Sequence, residues 1–480
     1  MTTHLAELFD RALEEVIDAI LGELKKGRAP RHRREAELGV RPNGMPSITD
    51  GSHFNWSGSA DYPSLLEPPY DDDAARNFGK YPAAKFPALH EFIQYAQSAP
   101  PDAPGLANPL PAELGHVDMY LRVEGAAEVY FRRFGAQAST AASRKFVARS
   151  LLRGMQARTL DLAMIVPIAL TRFELDHFRI APDVFLMKMS PALQRARWSV
   201  KAYGGGAHEA VLAAATHAFV FTGKQIPNDG FIRLTHSLSQ PDPSARAAID
   251  TIFAALRLVT GVSTGFAQEL WLARNWSAHH PYRPEVIGIG VRRYPDRMDD
   301  FGWTANEVPL ITREDLQRVK QVYLCIRQIV DTRLGLALRR LNAAMTRDEP
   351  ADAILDATIA LEILLGDDDS QAISWKLRMR AAALAGLVAD QAAMLKMRDV
   401  LSRVYSIRSA IVHGARGRKE SSPTARDAAV KEADDGARLA IDSLRSVLNI
   451  LVENPRYFDP LAIDRELLLA PVLASGSSAP

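Results

Sequence analysis

One cysteine, Cys325, stands among the 480 residues. That scarcity excludes a disulfide framework and any zinc site built from several thiolates, and it suits a reducing compartment. No run of about 18 apolar residues occurs, so no membrane-spanning helix is expected. The opening stretch MTTHLAELFD carries acidic residues and no unbroken apolar segment, unlike a secretory signal peptide. Charge of one sign is missing too. The 58 basic and 57 acidic residues leave a net +1, so any nucleic-acid ligand must use a local patch rather than a basic body. The expectation is a cytoplasmic protein that does not engage membranes, with no cofactor and no metal site.

What is present is ordinary globular material, 47% hydrophobic and 24% charged, enough for two or three domains with real cores. Leu5, Leu8, Phe9, Leu13, Val16, Ile17, Ile20 and Leu24 recur at helical spacing and predict an amphipathic helix over 4–26. A basic run follows, Lys25, Lys26, Arg28, Arg31, Arg33 and Arg34. It reads either as a solvated helix end, suited to the negative end of the helix dipole, or as a nucleic-acid contact.

Residues 40–112 are rich in Pro, Gly, Asp and Ser and predict an irregular stretch. Asp71, Asp72 and Asp73 within it read as a solvated turn in preference to a metal site. Residues 113–310 mix helix and strand patterns. AMIVPIALTRFELDHFRIAPDVFLMKMS gives strand-like runs broken by Pro167 and Pro182. Helical stretches are expected near 191–202 and 207–216, and strands at 217–222, 230–235 and 286–293. Gly204, Gly205 and Gly206 precede a helix, but no Lys-Ser or Lys-Thr follows, so a flexible turn is preferred over a phosphate cradle.

From Thr312 the strand patterns stop. Helices are predicted over 312–332, 334–346, 350–366, 371–388, 391–413 and 424–453. The fold class is therefore α+β and multidomain. Its parts are an N-terminal helix and irregular segment (1–112), an α+β region with a sensing or regulatory role (113–310), an all-α bundle (311–456) and a flexible tail (457–480).

Three segments fit R-x-x-x-x-H: Arg172–His177, Arg274–His279 and Arg408–His413. The pattern is expected by chance in a chain with 12 His, so context must choose. Arg172 and His177 sit in a strand-like run, where residues five apart face opposite ways. His279 leads into a Pro-rich loop. Arg408–His413 closes a patterned helix instead. Val400, Val404, Ile407 and Ile411 form its core stripe, and Gly414 stands where a left-handed stop is favoured. Leu401, Tyr405, Ser409 and Val412 form a second, mixed face, whose simplest partner is the same face of a second subunit.

LSRVYSIRSAIVHG resembles the terminal motif of Apea-like HEPN domains: an aromatic residue, Arg-Ser, a few apolar residues, then His-Gly. DAILDATIALEILLG, with Leu361–Glu362, resembles that family's first conserved helix, and ISWKLRMRAAALAG the helix between. The likeness covers about 312–456. It implies a dimeric, metal-independent endoribonuclease, acting as a bacterial antiphage or toxin-like effector, with two Arg/His motifs around one RNA phosphate.

The residue chemistry suits that task. His413 titrates near neutrality and can move the proton of a 2′-OH or of the leaving 5′-oxygen. Arg408 stays charged and presents a planar fork to phosphoryl oxygens. Ser409 is placed to hydrogen-bond a phosphate or to fix the imidazole. Tyr405 either stacks on a base or packs at the interface. Arg416, Arg418 and Lys419 either hold RNA backbone or form a solvated loop. Glu362, among apolar neighbours, needs a cation; Arg408 is the first choice, Arg378 and Arg380 the others. Partners expected are RNA, a second copy of the chain and a trigger sensed by 113–310. The other readings are a non-catalytic HEPN-like module for dimerisation or nucleotide or protein binding, with Arg408 merely pairing Glu362 and His413 capping its helix, and a toxin paired with an antitoxin.

Overall fold

A computed structural model describes residues 4–51, 59–67, 81–98, 100–106, 112–200, 206–240, 242–281, 284–304, 306–368, 371–412 and 423–469. The side chains of 112–116, 231 and 423–430 are not described. The chain is 59% helical and 16% strand, a mixed helix-and-sheet protein whose C-terminal region is helical. It forms two compact units. One comprises 1–167, 187–241 and 268–291, and the other 168–186, 242–267 and 292–480.

The first unit begins with α1 (His4–Lys25), whose Leu5, Leu8, Phe9, Leu13, Val16, Ile17 and Ile20 are all buried. They pack on α2 (Pro87–Gln97), α3 (Ala112–Phe134) and α4 (Ala141–Gln156). An apolar stripe at period 3.6 makes α1 a helix only because this core receives the stripe. Helix α2 falls where sequence predicts irregular chain; Pro87 at its first turn starts it, and Leu89, Phe92 and Ile93 bury against α1. Short antiparallel pairs join β1 (Arg31–His32) to β4 (Ala60–Asp61), and β2 (Glu37–Val40) to β3 (Pro46–Thr49).

The basic run after α1 is paired locally. Lys26 and Arg28 each reach Glu23 at 2.8 Å, Arg31 reaches Glu67 at 2.7 Å, and Arg33 contacts Asp61 at 2.9 Å and the buried Glu128 at 3.1 Å. These pairs offset part of the run's charge.

Four further strands follow in hydrogen-bonded order. They are β11 (Val286–Arg293), β10 (Gly265–Ala273), β5 (Thr159–Ala169) and β9 (His217–Pro227), with β8 (Val184–Lys188) beside β9. Strand β5 runs antiparallel to β9, Thr159 facing Pro227 and Pro167 facing Ala218, with an irregularity at Leu162–Met164. Pro167 therefore does not break the strand as expected but sits inside it. The segment 230–235, expected as a strand, lies within helix α7 (Phe231–Leu238). It comes after α5 (Pro191–Ser199) and α6 (Glu209–Ala213). Leu234 and Leu238, four apart, are buried on one face of α7, and a short apolar run cannot separate the two periods.

The second unit holds β7 (His177–Arg179), and its β6 (Arg172–Phe173) pairs in parallel with β12 (Leu310–Ile311). The helices are α8 (Pro243–Thr260), α9 (Arg313–Gln328), α10 (Thr332–Ala344), α11 (Pro350–Leu365), α12 (Ile373–Ala385), α13 (Gln391–Val412) and α14 (Pro423–Glu453). Local chemistry sets their starts. Thr312 and Asp315 form a capping box at α9, Asp331 caps α10, and Pro350 occupies the first position of α11. Helix α11 is central, touching α10, α12, α13 and α14. Gly436 of α14 lets α13 approach: a Cβ there would stand 3.2 Å from Ile407 Cδ1 and 3.5 Å from Ile354 Cδ1. Of the segment expected as a flexible tail, residues 457–469 form short helical turns with Tyr457, Phe458 and Ile463 buried, and the rest lies outside the described residues.

Candidate functional site

Glu362 lies in the last turn of α11, and Tyr405, Arg408 and Ser409 lie one turn apart on α13. Residues three and four apart share a helix face, so α13 presents these three together. Arg408 Nη2 stands 3.5 Å from Glu362 Oε1, and the Tyr405 hydroxyl donates to the same oxygen at 3.3 Å. The Arg408 guanidinium also lies 5.5 Å from the Tyr405 ring centroid, within cation–π range. Burial, with Glu362 close by, raises the Tyr405 phenol above its usual pKa, so it remains a donor at neutral pH. Ser409 is half-buried.

The Arg408 geometry is loose. Charge-assisted hydrogen bonds run near 2.7–2.9 Å, and the 3.5 Å contact is longer than that. Arg408 Nε is buried and has no hydrogen-bond partner among the described residues. A few residues away in the fold, Arg380 shows the contrast. It donates to Asp464 at 2.9 and 2.6 Å, to Asp367 at 2.6 Å and to the Leu365 carbonyl at 2.6 Å. Neither Arg378 nor Arg380 serves Glu362: Arg378 donates to the Ser374 carbonyl at 3.0 Å and to Ser402 Oγ at 3.3 Å.

His413, Arg416, Arg418 and Lys419 lie outside the described residues, as do Gly414 and Asp71 to Asp73. Helix α13 buries Leu401 and Val404 most deeply, while Val412 is half-exposed. The core side of this helix is thus turned toward Leu401 compared with the expected Val400–Ile411 stripe.

A crevice of about 10 Å³, room for about one water molecule, adjoins the cluster, lined by Thr358, Leu361, Ser374, Leu377, Arg378, Leu401, Val404 and Tyr405. Arg378, one of the two alternative partners expected for Glu362, lines this crevice instead.

No protein-family model, curated protein or solved structure matches the chain. The arrangement of residues is therefore the only ground for a functional reading beyond the motif likeness.

The rival motif at Arg274–His279 is a packing node of the first unit. Arg274 is exposed. Glu285 accepts the backbone N–H groups of Ala278, His279 and His280, and His279 Nε2 meets Asp118 Oδ1 at 3.3 Å. A Cβ on Gly125 of α3 would stand 1.8 Å from the His279 carbonyl oxygen. Gly125→Ala must displace either helix or loop, and we expect it to cost about 3 kcal/mol by overpacking, read as a lowered urea midpoint.

Burial, with Arg122 beside it, outweighs Asp118 and pulls His279 from 6.5 down to about 4; His280 also faces it. The unfolded chain then binds more protons than the native one between those values, so this stability is full above pH 6.5 and is lost on acidification toward pH 4. Between pH 7 and 5 the loss from this group is on the order of 2 kcal/mol. Urea midpoints of wild type and His279→Gln at both pH values check it: the variant should show a smaller drop.

Proposed function

We propose that the protein is a metal-independent endoribonuclease of the HEPN type, with Arg408 and His413 at its catalytic centre and two copies of the chain forming one site. The observation that carries this reading is the under-satisfied guanidinium of Arg408. A buried donor left without a partner costs about 1–3 kcal/mol. The bundle spends its close carboxylates on Arg380 and leaves Arg408 one long contact, with Nε bare. An anion arriving at this face, such as a phosphodiester, relieves that cost. Glu362 and Tyr405 then serve to aim the guanidinium.

In the proposed reaction His413 takes the proton of the ribose 2′-OH as the oxygen attacks phosphorus. The second His413 of the dimer gives a proton to the departing 5′-oxygen. Arg408 stabilises the charge that gathers on the phosphoryl oxygens. The products are a 2′,3′-cyclic phosphate and a 5′-hydroxyl. Ser409, one position after Arg408, hydrogen-bonds the phosphate, and Arg416, Arg418 and Lys419 hold neighbouring phosphates. A defence or toxin role, and a trigger read by residues 113–310, rest on the motif likeness.

The test is RNA cleavage in EDTA by the purified full chain beside Arg408→Ala and His413→Ala. Activity that survives EDTA and is lost in both variants supports the proposal. Equal inertness of all three, with a growth phenotype absent on expression, favours a non-catalytic helical module in which Arg408 only pairs with Glu362.

A further inference from the structure

We propose that an open cleft in the second unit binds a free amino acid that carries a second cationic group, such as arginine or lysine. The site does not include Arg408 and does not rest on the ribonuclease reading.

The cleft measures about 400 Å³, within the range of small-ligand sites. Leu170, Val262, Met298 and Val308 give it an apolar lining. Leu170 is buried yet left-handed, with φ 50°. Its surroundings hold it so. The carbonyl before it, of Ala169, accepts the Thr171 hydroxyl at 3.1 Å and the Thr264 hydroxyl at 2.6 Å. Arg257, 3% exposed, fixes Thr264 in turn by donating to its carbonyl at 2.5 Å. Backbone strain held in place by its neighbours gathers at ligand sites. A second left-handed residue, Phe301 with φ 62°, ends the 3-10 turn Asp296–Asp300 beside the cleft. Past it, Trp303 Nε1 donates back to the Met298 carbonyl at 2.7 Å, which fixes the indole on the cleft wall.

Three charged side chains also line the cleft: Arg297, Asp300 and Glu307. Residues three apart eclipse in a 3-10 turn, so Arg297 and Asp300 lie on the same side and could pair. They do not. Arg297 Nη1 donates to the Arg347 carbonyl at 3.4 Å, and Asp300 Oδ1 accepts the Gly302 N–H at 2.9 Å. Glu307 is exposed and has no hydrogen-bond or ion-pair partner among the described residues. Two carboxylates and one guanidinium thus open onto one space without an opposite charge among the described residues. That charge set selects the ligand. A nucleotide would bring its phosphate to two carboxylates, and a polyamine would meet Arg297. A cationic amino acid carries the complementary set: a carboxylate for Arg297, and an ammonium and a side-chain cation for Asp300 and Glu307. Its methylene stem lies on the apolar lining, and the Trp303 indole gives the side-chain cation an aromatic neighbour.

The experiment is isothermal titration calorimetry of the full chain with L-arginine, L-lysine, L-leucine, AMP and agmatine, which is arginine without its carboxylate. Arginine and lysine should bind, and AMP should not. Leucine should bind about tenfold more weakly than arginine, having lost one charge-assisted contact. Glu307→Gln and Asp300→Asn should each weaken arginine about tenfold for the same reason; the Asn keeps an acceptor for Gly302. Arg297→Gln should weaken arginine about tenfold and leave agmatine unchanged. All three positions are exposed, so the variants should keep the wild-type thermal midpoint. No binding of arginine or lysine by wild type, tighter binding of AMP than of arginine, or unchanged arginine affinity in both Glu307→Gln and Asp300→Asn overturns the proposal. Equal losses of arginine and agmatine in Arg297→Gln overturn it too, because the ligand carboxylate then plays no part.

Discussion

Single-turnover cleavage of RNA by the Arg408→Ala protein is expected to be slower than wild type by about 10²–10³-fold, the usual effect of removing one preorganised donor to developing phosphoryl charge. His413→Ala should lose about 10²–10⁴-fold, as for a general acid–base. Combining the two should add little, because groups that act together in one transition state are not additive. Arg408→Lys should restore little of the rate, since an ammonium cannot present the planar fork. Glu362→Gln is the informative milder change. It keeps the side chain near Tyr405 but removes the charge 3.5 Å from Arg408. A positioning role predicts a rate loss smaller than that of Arg408→Ala, without a change in products. Quenched-flow or gel time courses with protein in excess over RNA measure all five variants.

The second large effect concerns the fold. Arg380→Met should destabilise the helical unit at the low end of about 3–5 kcal/mol, the range for removing one member of a buried ionic network. Arg380 is 3% exposed and ties the α11 terminus, Asp367 and Asp464 together. Its loss leaves the Leu365 carbonyl and Asp464 without the donor they share and takes one of two cations from Asp367. The low end applies because Lys376 still faces Asp367, and Asp464 is 30% exposed. Hydrogen bonds from Lys376 and Arg380 hold Asp367 down from 3.8 to about 2. Stability from that carboxylate is therefore present above pH 3.8 and lost as pH falls toward 2. The variant should lose part of this acid limb as well as its midpoint in guanidinium.

These expectations draw on features of unequal visibility in sequence. The helices from α9 to α14 were readable because their apolar positions repeat at one period and their starts carry Thr312, Asp331 and Pro350. Glu362 was readable as needing a cation because every neighbour in IALEILLG is apolar. The choice of Arg408 over Arg378 and Arg380 was not fixed by sequence. It follows from how α12 and α13 face α11, and from Asp464, some hundred residues downstream, which engages Arg380. The same limit hid Arg197. It is fully buried and served by the carbonyls of Leu212 and Ala213 and by Gln194 and Gln268, and burial lowers it to about 9. Two of its four partners are backbone carbonyls, and no residue type signals those. The basic run at 25–34 was misleading for the opposite reason, since the carboxylates that answer it lie as far away as Glu67 and Glu128.

The central claim is that RNA is cut by its own 2′-oxygen at a site containing Arg408 and His413. Analysis of the product termini in EDTA tests it most directly, using an RNA oligonucleotide and the same sequence with 2′-deoxyribose at the cleaved position. The account predicts a 2′,3′-cyclic phosphate and a 5′-hydroxyl from the first and no cut at that position in the second. Products ending in 5′-phosphate, cleavage of the deoxy substrate, or activity that disappears with EDTA would contradict it.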